Sequence, residues 1–166
     1  MTDPDHPVRG YAAPPCLAHE IDPAYVDPQQ AADVARWRKA ERARLLADRA
    51  GQPVAVRHAA AAVIGCHLDA LLAQRFGSID GLTISAWWPI KAELNLRHWL
   101  ESLLERGARV ALPVVEERAA PLHFRLWTPE CRMVQGVWKI PVPADGPDVT
   151  PDATLAPVVG WDAAGY

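Results

Sequence analysis

A chain of 166 residues, half of them apolar and 22% charged, is long enough for one domain with a sizeable core and has the composition of a globular protein, not of a disordered or fibrous one. Its net charge of -3 excludes a general nucleic-acid binder, which needs a basic excess or a broad basic face to neutralise phosphates. Cys16, Cys66 and Cys131 are odd in number, far apart and without a C-x-x-C, so neither a disulfide framework nor a zinc knuckle is indicated; with an acidic start and no run of eighteen apolar residues, the expectation is a cytoplasmic protein without a membrane span.

Residues 1–28 carry six prolines from Pro4 to Pro28 with little periodicity and read as an extended N-terminal arm, leaving 29–166 as the domain. Asp27-Pro28 looks like an N-cap followed by a first-turn proline, opening a helix through Arg49 that ends near Gly51. Pro53 starts a second helix, in which Val56, Ala60, Val63, Ile64, His67, Leu68, Leu71 and Leu72 recur at helical spacing. Gly77 is placed to end it in a left-handed cap. Residues 82–88 then form a β-branched and aromatic run closed by Pro89, as expected of a buried strand. Asn95 can cap a helix carrying Leu96, Trp99, Leu100, Leu103 and Leu104, which Gly107 ends before residues 109–115 run as the next strand. Strand, helix and strand make a βαβ unit with parallel strands and a right-handed crossover. Residues 121–127 alternate as a half-exposed edge strand should, 141–152 read as a loop rich in proline and aspartate, and 154–160 read as a last, buried strand. The chain stops in the turn after it, so the last elements of the sheet are expected to be missing.

Arg38, Arg42 and Arg49 fall within roughly 40° of one another around the first helix. Three guanidinium groups on one face can grip phosphate oxygens in paired, charge-assisted hydrogen bonds. The same pattern also describes a wet helix face salt-bridged by Asp33, Glu41 and Asp48. Glu93 follows Trp88 where a strand end hands over to a helix, the usual address for ligands in parallel sheets. A carboxylate there can accept from a ring bearing amino and imino donors while an indole covers its apolar face; equally, Glu93 could favour the helix dipole and Trp88 fill the core. Trp138, after Gly136, could cover a flat ligand or plug the core edge. His67 reads as a core histidine, since Cys66 and His67 lack metal-ligand spacing. No nucleophile triad, Walker loop or G-x-G-x-x-G is legible.

In order, Arg38-Lys39-Ala40-Glu41-Arg42, Trp88-Pro89-Ile90-Lys91-Ala92-Glu93-Leu94, residues 107–115, Gly136-Val137-Trp138-Lys139-Ile140-Pro141-Val142-Pro143 and Ala156-Pro157-Val158-Val159-Gly160-Trp161-Asp162 resemble the 5-formyltetrahydrofolate cyclo-ligase (5,10-methenyltetrahydrofolate synthetase) family over residues 30–166. The resemblance implies a three-layer α/β/α domain with a mainly parallel sheet. It implies ATP-dependent closure of 5-formyltetrahydrofolate to 5,10-methenyltetrahydrofolate in one-carbon metabolism, with ATP and Mg²⁺ required. Arg38 and Arg42 match the family's ATP contacts, and Trp88, Glu93 and Trp138 its folate contacts. The family's pattern R-L-G-x-G-x-G-[YF]-[YF]-D, with its phosphate-cradling backbone and magnesium aspartate, has no counterpart before Tyr166. From that absence little turnover is expected of these 166 residues. The alternative is a non-catalytic remnant of the fold that binds folate or nucleotide or oligomerises through an open sheet edge.

Overall fold

The structure is a computed structural model that describes residues 28–117 and 120–161. The chain divides into two compact units, residues 1–44 and 45–166. The expected arm lies outside the described residues except for Pro28, the first residue of α1 (Pro28–Gly51). Residues 28–44, the described part of the first unit, are helical throughout, and all but Glu41 of those whose side chains are described are exposed.

The second unit holds the end of α1, then α2 (Val54–Phe76), β1 (Thr83–Ser85), α3 (Arg97–Glu105), β2 (Arg109–Val114), β3 (His123–Trp127), β4 (Met133–Gln135), β5 (Pro141–Pro143) and β6 (Ala153–Thr154). Four strands form a sheet in the order β3-β2-β1-β6. β1 is parallel to β2 and to β6, while β3 runs antiparallel along the edge. The class is therefore α/β with a mainly parallel sheet, and the expected strand–helix–strand unit is β1-α3-β2.

The core forms where three apolar patterns meet. Ile84 from β1, Val110 and Leu112 from β2, and Leu100 and Leu103 from α3 are buried together with Leu72 and Trp99. Gly65 lets α2 approach α3 closely, for a Cβ there would lie 3.0 Å from the Trp99 ring. Beside it the Trp99 indole N–H donates to Asp69 at 2.9 Å, and Arg106 donates to the same carboxylate oxygen at 2.7 Å.

Five expectations need correcting. Of the expected apolar positions of α2, Ile64, Leu68 and Leu72 do pack, together with Ala61 and Gly65, whereas Val56, Val63, His67 and Leu71 are exposed, and His67 is not a core residue. This helix carries apolar residues on more than one face, and the face that packs combines Ile64, Leu68 and Leu72 with the small Ala61 and Gly65. At 23 residues it is also long and apolar enough to cross a membrane, by length and composition. Gly77 does have a positive φ of 74°, but with ψ at −69° it centres a γ-turn, with Ser78 N–H donating to Phe76 at 2.9 Å, and is not a left-handed cap. Asn95 does not occupy the N-cap position, which falls to Leu96; its side chain nevertheless accepts from the backbone N–H of Arg97 at 3.1 Å, serving the first helical donor.

The last two corrections concern proline. β6 is only Ala153–Thr154; Leu155 N–H still reaches Ser85 at 2.8 Å, but Pro157 has no N–H to extend the ladder, and Val158 and Trp161 are exposed instead of buried. Conversely, the expected loop 141–152 begins with a strand. β5 pairs antiparallel with β4 as Met133↔Pro143, Val134↔Val142 and Gln135↔Pro141. Flanking bonds from Gly136 N–H to Ile140 and from Ala144 N–H to Arg132, both 2.9 Å, put the hydrogen-bonded pairs at 136/140 and 132/144. Pro141 and Pro143 thus occupy the alternate positions, where no N–H is needed.

Candidate functional site

Beyond the carboxyl end of β1 the chain does not enter a helix at once. Ile90 to Glu93 form a tight turn closed by Glu93 N–H to the Ile90 carbonyl at 2.9 Å. Its two central residues, Lys91 and Ala92, have φ of 46° and 62°. Both signs are positive, as in a type I′ turn, a form that normally recruits Asn or Gly. Non-glycine residues held there cost about 1–2 kcal/mol each, and such strain concentrates where a side chain must be aimed. The side chain aimed here is Glu93. Its Oε2 accepts from the Ile90 N–H at 3.1 Å, and its Oε1 stands 3.6 Å from Nη2 of Arg49.

A second turn repeats the device. Between β4 and β5, Ile140 N–H reaches Val137 at 3.4 Å across Trp138 and Lys139, whose φ values are 56° and 62°. Trp138 therefore sits at a hairpin tip, 59% exposed, not as a plug in the core.

Both turns border one cavity of about 240 Å³. Trp87, Trp88 and Leu112 wall it, Ile90 and Glu93 come from the first turn, and Val137 and Ile140 from the second. It falls short of the roughly 300 Å³ at which pockets for drug-sized ligands begin. Trp88 is fixed on both sides, edge-on to Trp127 with ring centroids 6.5 Å apart and under the Arg97 guanidinium at 5.2 Å. Three buried polar atoms lack partners among the described residues: the indole N–H of Trp87, the Ser85 hydroxyl and Nε of Arg49. All three belong to residues 45–166, and Trp87 lines the cavity itself.

No family model matches the chain, and no curated protein matches it significantly. Among solved structures, the solution structure of 5,10-methenyltetrahydrofolate synthetase from Aquifex aeolicus aligns with a TM-score of 0.61 at 22% identity, over 75% of this chain and 62% of that one. The fold is that of the synthetase.

Within the synthetase fold the expected site residues divide between the two units. Trp88 and Glu93 line one cavity, and Trp138 stands on the turn that borders it. Arg38 and Arg42 belong to the first unit, on the exposed part of α1. They make no hydrogen bond or ion pair among the described residues, because the nearby acids are engaged elsewhere: Asp33 with Arg36 at 2.9 Å and Glu41 with Arg44 at 2.5 Å. The Arg44 guanidinium, hydrogen-bonded to Glu41, holds that carboxyl below its ordinary 4.5. Sequence reasoning named Arg49 only as part of the stripe and missed Trp87, whose neighbour Trp88 drew the attention. Trp87 was detectable only as one more aromatic in a strand-like run.

Proposed function

We propose that the chain binds 5-formyltetrahydrofolate at the Glu93 cavity and serves ATP-dependent closure of that substrate to 5,10-methenyltetrahydrofolate. The observation that carries this reading is Glu93: one oxygen is pinned by backbone, the other has no hydrogen-bond donor among the described residues, and indoles wall the space beside it. A carboxylate presented in this way accepts the paired amino and imino hydrogens of a pterin-like ring, while Trp87 and Trp88 cover its apolar surface.

In the reaction, the formyl oxygen takes the terminal phosphoryl group of ATP and ADP leaves. N10 then attacks the activated formyl carbon, phosphate departs with the oxygen, and N10 loses its proton. Glu93 orients the ring, and the indole walls exclude water from the reacting carbon. Arg38 and Arg42, whose guanidiniums have no ion-pair partner among the described residues, hold triphosphate oxygens. Among the described residues no group of three or more His, Cys, Asp or Glu gathers that could hold a metal ion; Mg²⁺ needs only one or two carboxylates besides the nucleotide's own phosphates, and no step is assigned to it.

The test is ligand-dependent stability. A ligand present at a hundred times its dissociation constant raises stability by about 2.7 kcal/mol, which for a domain of this size is a rise in Tm of about 5–11 °C. Purified protein melted with and without 5-formyltetrahydrofolate should show that rise, and Glu93→Gln should lose most of it. No shift with folate at millimolar concentration refutes the reading.

A further inference from the structure

Glu93 is held from two sides, and only one of them is local. The Ile90 backbone fixes Oε2, whereas Oε1 faces Nη2 of Arg49 at 3.6 Å, too long for a hydrogen bond yet close enough for an ion pair. The two side chains are only 20% and 15% exposed, so solvent screens them less than it screens a surface pair. A buried ion pair that serves stability alone needs close geometry and satisfied donors to offset desolvation. This one has neither, for Arg49 Nε is buried without a partner among the described residues. What the arrangement does provide is direction, because a cation standing off Oε1 draws the carboxylate toward itself without occupying the oxygen's lone pairs.

We propose that Arg49 is the positioning residue for Glu93, orienting Oε1 so that it is open to the donors of a ring ligand. The proposal rests on the folate reading of the same cavity. Arg49 acts through Glu93, and its contribution should therefore vanish when the Glu93 charge is removed.

The experiment is a double-variant cycle read by tryptophan fluorescence titration with 5-formyltetrahydrofolate, using wild type, Arg49→Gln, Arg49→Lys, Glu93→Gln and the double variant R49Q/E93Q, with a melt of each to establish folding. Arg49→Gln should weaken binding about tenfold, as loss of an interaction with a charged group does. Arg49→Lys, which keeps the charge, should stay within about threefold of wild type. In the Glu93→Gln background Arg49→Gln should cost nothing further. Additive losses, unchanged binding in Arg49→Gln, or a lysine variant as weak as the glutamine variant each overturn the assignment of Arg49 while leaving the folate reading intact. No binding by wild type overturns the folate reading and this inference together. Should Arg49→Gln not fold, Arg49→Met takes its place in the cycle under the same rule.

Discussion

Two tryptophans in this fold differ in one respect that stability measurements can read. The Trp99 N–H donates to Asp69 at 2.9 Å, while the Trp87 N–H is buried with no partner among the described residues. Tryptophan to phenylalanine removes the same N–H in each and shrinks the ring by a similar amount, costing on the order of 1 kcal/mol of buried apolar surface. For Trp99→Phe the lost bond to a charged acceptor adds about 1.5–3 kcal/mol. For Trp87→Phe the deleted group had no bond to lose, and removing an unsatisfied buried donor returns about 1–3 kcal/mol. The ring loss is common to both, so the variants should differ by about 2.5–6 kcal/mol, with Trp87→Phe near or above wild type. That is a separation of about 5–24 °C in Tm at 2–4 °C per kcal/mol, measured by circular dichroism melts and checked by urea titration. If Trp87→Phe is destabilised as much as Trp99→Phe, the Trp87 N–H is satisfied in solution and the cavity is not built around an unmet donor. If Trp87→Phe keeps its stability but binds 5-formyltetrahydrofolate more weakly, the missing acceptor is on the ligand.

Ala92→Gly should raise stability by up to about 1 kcal/mol, because relief of a positive φ worth about 1–2 kcal/mol exceeds the extra freedom glycine gives the unfolded chain, about 0.5–1 kcal/mol; a melt showing clear destabilisation would exclude the type I′ geometry at residues 90–93. Gly107→Ala should cost about 1–2 kcal/mol from its φ of 85°, and more from the new methyl, which would lie 2.2 Å from Asp80 Oδ1. Asp80→Ala in the same chain should recover the steric part but not the backbone part, a difference that urea denaturation of the single and double variants resolves.

The parts of the fold legible in sequence were those with one solution. Residues 82–115 alternate an apolar run, a capped helical stretch and a second apolar run, and glycine with positive φ at 107 marks the junction; β1, α3 and β2 follow within a few residues. α2 was legible as a helix but not in its orientation, since Val56, Val63 and Leu71 are as apolar as the residues that pack and periodicity does not choose between two apolar faces. Proline misled in both directions. In β5 it disguised a strand whose bonding positions it avoids, and at Pro157 it interrupted a run that reads as strand by composition alone. For the candidate cavity, Trp88 and Glu93 were singled out by their place after a strand, and both line it. The alternative of a helix-dipole carboxylate falls away because α3 starts at Arg97 and Glu93 belongs to a turn. That turn could not be read from Lys91-Ala92, which carry no signal for positive φ. Nor could Arg49, because its meeting with Glu93 is set by tertiary packing and not by spacing along either element.

The spacing of Pro141 and Pro143 has a consequence for how reliably the indole of Trp138 is delivered. A slip of β5 against β4 by one residue would bring both imides onto rungs that require a hydrogen donor, so that two bonds would be lost at once from a ribbon of only three residue pairs. The misaligned pairing is therefore self-defeating, and the hairpin crest is confined to a single address beside the Glu93 cavity. Two residues that appear to forbid a strand act instead as its indexing teeth.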